Sequence, residues 1–237
     1  MTLEYYFTEK KNIQENSLII VDEDARHLLR VLRKVPGEEL YVTDGERNLF
    51  RTEIESISDD SLNCRIVERF FNLNEPAVRI TLYQSLLKNP SRFEFVIEKA
   101  VEIGVYEIRP VITENVVNKE TDRSERWQSI ALSAMKQSQR CFLPKVLHPI
   151  VFERAIQDAE KTDLKIIADE KENIDVVNIP EINLLSQSIS LFIGPEGGFT
   201  AAELQTATGH GFKILNLGKR KLRSETAAVA VLGRILF

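Results

Sequence analysis

Two short loops late in the chain hold the residue types best suited to chemistry: GPEGG at 194–198 and LGKRKLRSETA at 217–227. Glycine lets backbone N–H and C=O groups approach a ligand that a Cβ would hold off, and it accepts φ > 0. Each loop follows an apolar run that reads as a buried strand, Ile189–Ile193 and Phe212–Leu217, and precedes a helical stretch. Two such loops on neighbouring strand ends would make a cleft for one flat, polar small molecule, because ligands of open α/β sheets bind outside the strand carboxyl ends. Lys219, Arg220, Lys221 and Arg223 place beside it a patch suited to polyanions. Taken separately, a glycine turn and a helix capped by Ser224, with Glu225 in its first turn, would explain the loops. They would not explain cations packed immediately before that cap. GPEGG lacks the following Gly-Lys-Ser/Thr of a phosphate loop and the spacing of a dinucleotide fingerprint, which disfavours a phosphate-handling enzyme.

Other charged groups have ready structural explanations. Lys136-Gln137-Ser138-Gln139-Arg140 puts donors at a helix C-terminus, where a cation compensates the dipole. Lys88 and Arg92 flank the helix start at Asn89-Pro90, where a surface role is the default. Glu94, Glu98 and Glu102 share a helix face at repulsive spacing, so partners must come from elsewhere as well as from Lys99. The run RHLLRVLRK at 26–34 carries Arg26, Arg30, Arg33 and Lys34 without an acid; it is either a solvated helix face or an RNA contact. His27 within it reads as a half-buried structural histidine.

The elements that must position these groups fall into two rhythms. Up to about residue 70 the pattern is of short strands with one helix: Ser17–Val21, a helix from Glu23 to Lys34 capped by Asp22, Glu39–Thr43, a tight turn at Asp44-Gly45, then Leu49–Ile57 and Leu62–Phe70. Leu28, Leu29, Val31 and Leu32 should form the buried side of that helix, and strands at this spacing suggest a small barrel. Phe71–Ala77 reads as a linker. Beyond it strands alternate with helices, which predicts a mostly parallel sheet. Val78–Gln84 comes first. A helix capped by Asn89 then buries Phe93, Val96, Ile97, Ala100 and Val101 and ends at Gly104. Tyr106–Ile112 is a strand, Asp122 to Arg140 a helix with Trp127, Ile130, Ala131, Ala134 and Met135 inward, and Lys145–His148 a short strand. A helix Phe152–Ala159 and the strand Leu164–Ala168 follow. The last helix, Ser224–Phe237, is small and apolar on every side between Ala227 and Leu232, as if covered on more than one face.

Composition bounds the rest. A chain of 237 residues allows one large domain or two smaller ones. A net charge of −5 argues against a generic nucleic-acid binder, although a local basic face can still hold phosphates. Two cysteines, Cys64 and Cys141, cannot form a disulfide framework, and His27, His148 and His210 have no metal-ligand spacing, so no metal is expected. MTLEYYFTEKKN lacks a basic-then-apolar signal and no run approaches a membrane span; the expectation is a cytoplasmic protein without membrane contact.

Several segments together resemble one family, the bacterial methyltransferases of the SPOUT class that modify a small-subunit ribosomal RNA uridine at N3. They are HLLRVLRKVPGEEL (27–40), LLKNPSRFEFVIEKAVEIGV (86–105), SAMKQSQRCFLPKV (133–146), IGPEGGFTAAEL (193–204) and LNLGKRKLRSETAAVA (215–230). The resemblance implies a PUA-like β-barrel over 1–72 that helps hold RNA, and an α/β domain over 73–237 threaded into a trefoil knot. It implies S-adenosylmethionine as cofactor, a homodimer, and small-subunit ribosomal RNA or the 30S particle as partner. Carried onto this chain, Ile193, Gly194, Pro195, Glu196, Gly197 and Gly198 form one wall of the cofactor pocket, and Leu217, Gly218, Leu222 and Arg223 another. Arg140 would face the target base, Arg140 or Arg223 would stabilise charge on it, and Glu225 is the nearest candidate base. Arg26, Arg30, Arg33, Lys88, Arg92 and Arg220 would hold RNA. The chain departs from the family pattern at Glu4-Tyr5-Tyr6-Phe7, where arginines are usual, and at Glu114-Asn115, where an arginine often follows the glutamate. A ribose 2′-O-methyltransferase of the same class and a non-catalytic RNA-binding module are the alternatives.

Overall fold

The structure, a computed structural model, describes residues 4–119, 123–169 and 188–237. The chain forms two compact units: the part up to Glu75 together with Leu132–Leu143, and Pro76–Ala131 together with Pro144–Phe237.

The first unit is a five-stranded sheet in the order β1-β3-β4-β5-β2, where β1 is Tyr5–Phe7, β2 Ser17–Ile20, β3 Glu39–Thr43, β4 Asn48–Ile57 and β5 Leu62–Phe71. The pair β1–β3 is parallel and the others are antiparallel. Beyond β1, the Thr8 hydroxyl donates to the Ile19 carbonyl of β2 at 2.5 Å, so the two edge strands are joined through a side chain. The turn at Asp44-Gly45 is made by one carboxylate: Asp44 accepts from the Glu46 N–H at 2.7 Å and the Asn48 side-chain amide at 2.6 Å. The core gathers Leu18, Ile20, Ala25, Leu28, Leu40, Val42, Phe50, Ile54 and Leu62.

The helix of this unit departs from expectation. Helix α1 covers only Asp22–Arg26 and passes into a π-helical turn over His27–Val31, closed by the Leu32 N–H on the His27 carbonyl at 3.1 Å. The wider turn rotates the apolar residues out of register with a 3.6-residue stripe. Leu28 is buried and Leu29 half-buried, but Val31 is 66% and Leu32 41% exposed. Asp22 does not cap the helix: the cap position is Val21, without a side-chain bond. Asp24 is the buried carboxylate instead, accepting from the Phe7 N–H at 2.7 Å and pairing with Lys136 at 2.5 Å. His27 is exposed, not half-buried.

The segment 71–77 contains the passage from one unit to the next, between Glu75 and Pro76, but it is not free of structure. Phe71 still belongs to β5, and Glu75 is anchored in the interior. Its carboxylate accepts four hydrogen bonds, from Arg140 Nε and Nη2 at 3.1 and 2.7 Å and from the Cys141 and Phe142 N–H groups at 2.9 and 3.0 Å. One buried carboxylate thus binds 140–142 to the first unit, which runs to Glu75 and also takes in Leu132–Leu143.

The second unit is a sheet in the order β12-β10-β11-β6-β7-β8, with β9 also on β7; every pairing is parallel. Here β6 is Arg79–Ser85, β7 Glu107–Ile112, β8 Lys145–Val146, β9 Ile150–Val151, β10 Leu164–Ala168, β11 Ser188–Ile193 and β12 Lys213–Leu215. A parallel sheet is covered on both faces, hence the unbroken apolar runs of its central strands. Helices α2 (Pro90–Ile103), α3 (Ser124–Gln137), α4 (Phe152–Asp158), α5 (Ala201–Gly209) and α6 (Ser224–Leu236) complete the fold, α3 from Leu132 onward being counted with the first unit. The expected inner stripe of α2 is buried throughout. Asn89 caps its start, and Gly104 ends it at φ +119°, where a Cβ would lie 2.6 Å from Pro76 Cγ. Glu94 finds its partners on α3 and just before it, Arg126 at 2.6 Å and Arg123 at 3.9 Å, and the Arg126 guanidinium holds its carboxyl below the usual range. Lys99 bridges Glu98 and Glu102. Asp122, the expected start of α3, lies outside the described residues.

Removing one member of a buried ion pair strands the other. Arg140→Ala should therefore cost about 3–5 kcal/mol in urea unfolding, because Glu75 keeps its charge without its guanidinium. A loss below about 1 kcal/mol would show that the pair does not hold this segment.

Candidate functional site

The site lies where strands β12, β10, β11 and β6 deliver their carboxyl ends side by side. Residues 194–198 leave β11 and residues 216–223 leave β12. Two glycines are at φ values that a side chain would resist, Gly198 at +66° and Gly218 at +97°. Gly198 donates its N–H to the Pro195 carbonyl at 2.9 Å, and Gly218 donates to the Asn216 side chain at 2.7 Å, so each loop folds onto itself. Gly194 meets a different constraint: a Cβ there would come within 3.2 Å of the Phe199 ring.

One hydroxyl fastens the loops together. Ser224 Oγ donates to the Gly194 carbonyl at 2.5 Å and accepts from Gln84 Nε2 at 2.9 Å; the same amide donates to the Ser85 carbonyl at 3.1 Å. Gln84 is fully buried and Ser224 7% exposed. The expected cap at Ser224 is therefore corrected. The cap position of α6 is Arg223, without a side-chain bond, because the hydroxyl is taken by this cross-link between β6, β11 and α6.

Between these loops lies a crevice of about 260 Å³. Of the residues expected to wall a cofactor pocket, Ile193, Gly194, Pro195, Glu196, Gly198, Leu217, Gly218, Leu222 and Arg223 line this crevice. Gly197 does not. A Cβ on Gly197 would meet Asn115 Cβ at 3.1 Å, and the Asn115 side-chain amide donates to the carbonyls of Gly197 and Gly198 at 3.2 and 3.0 Å. Gly197 thus allows Asn115 to clamp the loop from behind. Glu196 has a similar supporting contact, its carboxylate accepting from the Lys88 N–H at 3.2 Å. Glu203 joins α5 to the end of β7, accepting from the Glu114 N–H at 2.9 Å while closing a capping box with Thr200.

The cations divide. Arg220, Lys221 and Arg223 line the crevice. Arg92 is half-buried, 3.5 Å from the Glu225 carboxylate, and Lys88 is exposed. Glu225 itself is buried, with its second oxygen lacking a donor among the described residues, and is not part of the crevice wall. Arg140, expected to face a base, is 5% exposed and pairs through Nε and Nη2 with Glu75 within the first unit; it is not among the residues that line the crevice. Arg26 and Arg30 line a separate concavity of the first unit with His27, Tyr5, Tyr6 and Lys136, and Arg33 is exposed at φ +52° just past the π-turn. Sequence reading missed Asp169, which lines the crevice from the end of β10, and the supporting pair Gln84 and Asn115. A single polar residue at a strand end has no spacing signal that could have marked it. Among the described residues no cluster could hold a metal ion, and no helix is long and apolar enough to cross a membrane.

Residues 74–236 match the family model of an RNA methyltransferase domain, and residues 20–67 that of an RNA methyltransferase PUA domain. Strand-exit crevice and family models together define the class: an RNA methyltransferase with a PUA unit. The ribosomal RNA small subunit methyltransferase E of Mesomycoplasma hyopneumoniae is 36% identical over 238 residues, covering 98% of both chains. Its namesake from Synechocystis is 31% identical over 229 residues, 95% of this chain and 74% of the relative. The crystal structure of a ribosomal RNA small subunit methyltransferase E from Neisseria gonorrhoeae bound to S-adenosyl methionine superposes with a TM-score of 0.84 at 32% identity, over 97% of this chain and 95% of that one. The chain belongs to the ribosomal RNA small subunit methyltransferase E family.

Ser224→Ala leaves the Gly194 carbonyl and a Gln84 N–H buried without partners. We expect about 1–3 kcal/mol of lost stability in urea unfolding, together with weaker binding of S-adenosylmethionine by calorimetry. Unchanged values for both would show that the hydroxyl is not what aligns the loops.

Proposed function

We propose that the chain methylates N3 of a uridine in small-subunit ribosomal RNA, on the free RNA or the 30S particle, with S-adenosylmethionine as methyl donor. The observation that carries this is the crevice: a cleft between two glycine loops, lined by Gly194, Gly198 and Gly218 among apolar residues, with Arg220, Lys221 and Arg223 along it. The residues present suit that cofactor. A flat adenosine needs backbone donors and acceptors close by, which Gly194 and Gly218 allow, and the apolar side chains of Ile193, Leu217 and Leu222 suit its rings. Bound there, the cofactor would supply a methyl group already activated on a sulfonium.

The protein's part is alignment and charge. Uridine N3 is a poor nucleophile until its imide proton leaves, after which negative charge spreads to O2 and O4. Arg223 is the residue we assign to that charge, because a guanidinium offers paired donors without titrating. Arg220 is assigned to the RNA backbone beside it, with Arg26, Arg30, Arg33, Lys88 and Arg92 as further RNA contacts. Glu225 points to Arg92 and lines no part of the crevice, so the imide proton passes to water in this proposal. The target base must be unpaired or flipped out to reach the methyl group.

The finer architecture belongs to the same proposal. The Thr8–Ile19 hydrogen bond between the edge strands supports a closed, PUA-like barrel. Threading of the C-terminal segment into a knot is supported by Ser224, which follows β12 at one sheet edge yet lies between the ends of β11 and β6. A homodimer is supported by α6, where Ala227, Val229 and Ala230 remain half-exposed after α2 has covered the other side. The compartment we assign is the cytoplasm, where ribosomal RNA would be met.

Mass spectrometry of nucleosides from small-subunit RNA should show N3-methyluridine with the gene intact and lose it on disruption; a lost 2′-O-methylnucleoside instead would favour the ribose enzyme. Arg223→Ala should lower kcat about a hundredfold while the protein still folds. A kcat near wild type would remove Arg223 from the chemistry. Light scattering after gel filtration should give twice the chain mass of 27.1 kDa, and the mass of one chain would end the dimer proposal.

A further inference from the structure

Strand β10 runs between β11 and β12, with Ala168 paired to Ile193 on one side and to Leu215 on the other. Asp169 is the next residue, so it leaves the sheet between Gly194 and Asn216, midway between the two glycine loops. Its N–H donates to the Leu215 carbonyl at 3.1 Å, which fixes its backbone. Its side chain forms part of the crevice wall and is half-buried. Oδ2 is sealed from water, and among the described residues it has no hydrogen-bond donor and the carboxylate has no paired cation.

An anion so placed is costly unless something arrives to meet it. Among the described residues the crevice has one other carboxylate, Glu196, and that one already accepts the Lys88 N–H. The remaining charged groups on the wall among the described residues are cations, Arg220, Lys221 and Arg223. An amino-acid zwitterion needs both signs, cations for its carboxylate and an anion for its ammonium. A sulfonium has no hydrogen to donate, and the hydroxyl and amino groups of an adenosine are neutral. Charge-assisted hydrogen bonds are about twice as strong as neutral ones, so the ammonium is the group that gains most from Asp169.

We infer that Asp169 is the acceptor for the ammonium of the cofactor's amino-acid end, an inference that rests on the S-adenosylmethionine reading above. It makes Asp169 a specificity residue, distinguishing ligands that carry the amino-acid end from shortened ones. Asp169→Asn keeps the shape and removes the charge. Isothermal titration of wild type and D169N with S-adenosylmethionine, S-adenosylhomocysteine and methylthioadenosine tests it, the last lacking the amino-acid end. Affinity for the first two should fall about tenfold or more, and that for methylthioadenosine by less than about twofold. The melting temperature without ligand should hold or rise, since the substitution relieves an uncompensated charge. An equal loss for all three ligands would place Asp169 on the nucleoside, no loss would remove it from recognition, and a lower melting temperature would make it structural; each overturns the inference while leaving the cofactor reading intact. Failure of wild type to bind S-adenosylmethionine would instead overturn that reading, and this inference with it.

Discussion

The crevice depends on a relay of two hydrogen bonds, from the Gln84 amide to the Ser224 hydroxyl and from that hydroxyl to the Gly194 carbonyl. Its direction is unambiguous. The Gln84 amide nitrogen also donates to the Ser85 carbonyl, so the oxygen cannot stand in its place, and Ser224 must accept on one side and donate on the other. Residues 84, 194 and 224 are far apart in sequence, yet all are buried at neighbouring strand ends, where a displaced partner would not be replaced by water. Where the crevice is lined by glycine it has no side-chain rotamer to adjust. Its shape is set by where the loops are held, and this relay, with Asn115 behind Gly197 and Gly198, holds the first of them.

A second buried polar knot does comparable work in the first unit. Glu75 collects a guanidinium and two backbone N–H groups, and Asp24 collects Lys136 and the Phe7 N–H. Both join the early sheet to residues 132–143, which the chain reaches only after passing through much of the second unit. Apolar burial alone is non-directional and would tolerate this segment sliding along the sheet. Fully met carboxylates do not, because each shift leaves a charge unpaired.

Much of this was legible in the sequence, for reasons visible in particular residues. The strands of the parallel sheet are unbroken apolar runs, α2 has Asn89-Pro90 at one end and Gly104 at the other, and the loops at 194–198 and 217–223 carry glycines where the crevice needs them. What stayed hidden depends on long-range pairing. Ser224 has the residue type of a helix cap, and only the approach of Gln84 and Gly194 makes it a cross-link. Arg140 has the residue type of an anion-binding group, and only Glu75, distant in sequence, shows that it is already engaged. The π-turn at His27–Val31 turned an apparent apolar face partly to solvent, since hydrophobic periodicity presumes 3.6 residues per turn and this segment does not keep it. Asn115 read as a missing arginine, when its short amide is what reaches two loop carbonyls.

The arrangement of charge follows from a conflict that any enzyme joining a cationic cofactor to a polyanion must settle. A net charge of −5 keeps the molecule as a whole from attracting nucleic acid indiscriminately, so the attraction has to be local. Had the crevice been lined with carboxylates to hold a sulfonium compound, it would repel the RNA that must come within bonding distance. Had it been lined with cations throughout, it would repel the cofactor. The chain separates the two demands by depth. Glycines and apolar side chains, which carry no net charge, make up most of the wall, the cations lie on the segment 219–223 that follows Gly218, and Asp169, an anion with no partner among the described residues, lies at the end of β10 between the loops. Because such interactions fall off steeply with distance and with access of salt, an inner carboxylate and outer guanidiniums can act on different partners without cancelling. Glycine at 194, 198 and 218 then suits electrostatics as well as space, since a charged side chain at these positions would bias the wall towards one sign.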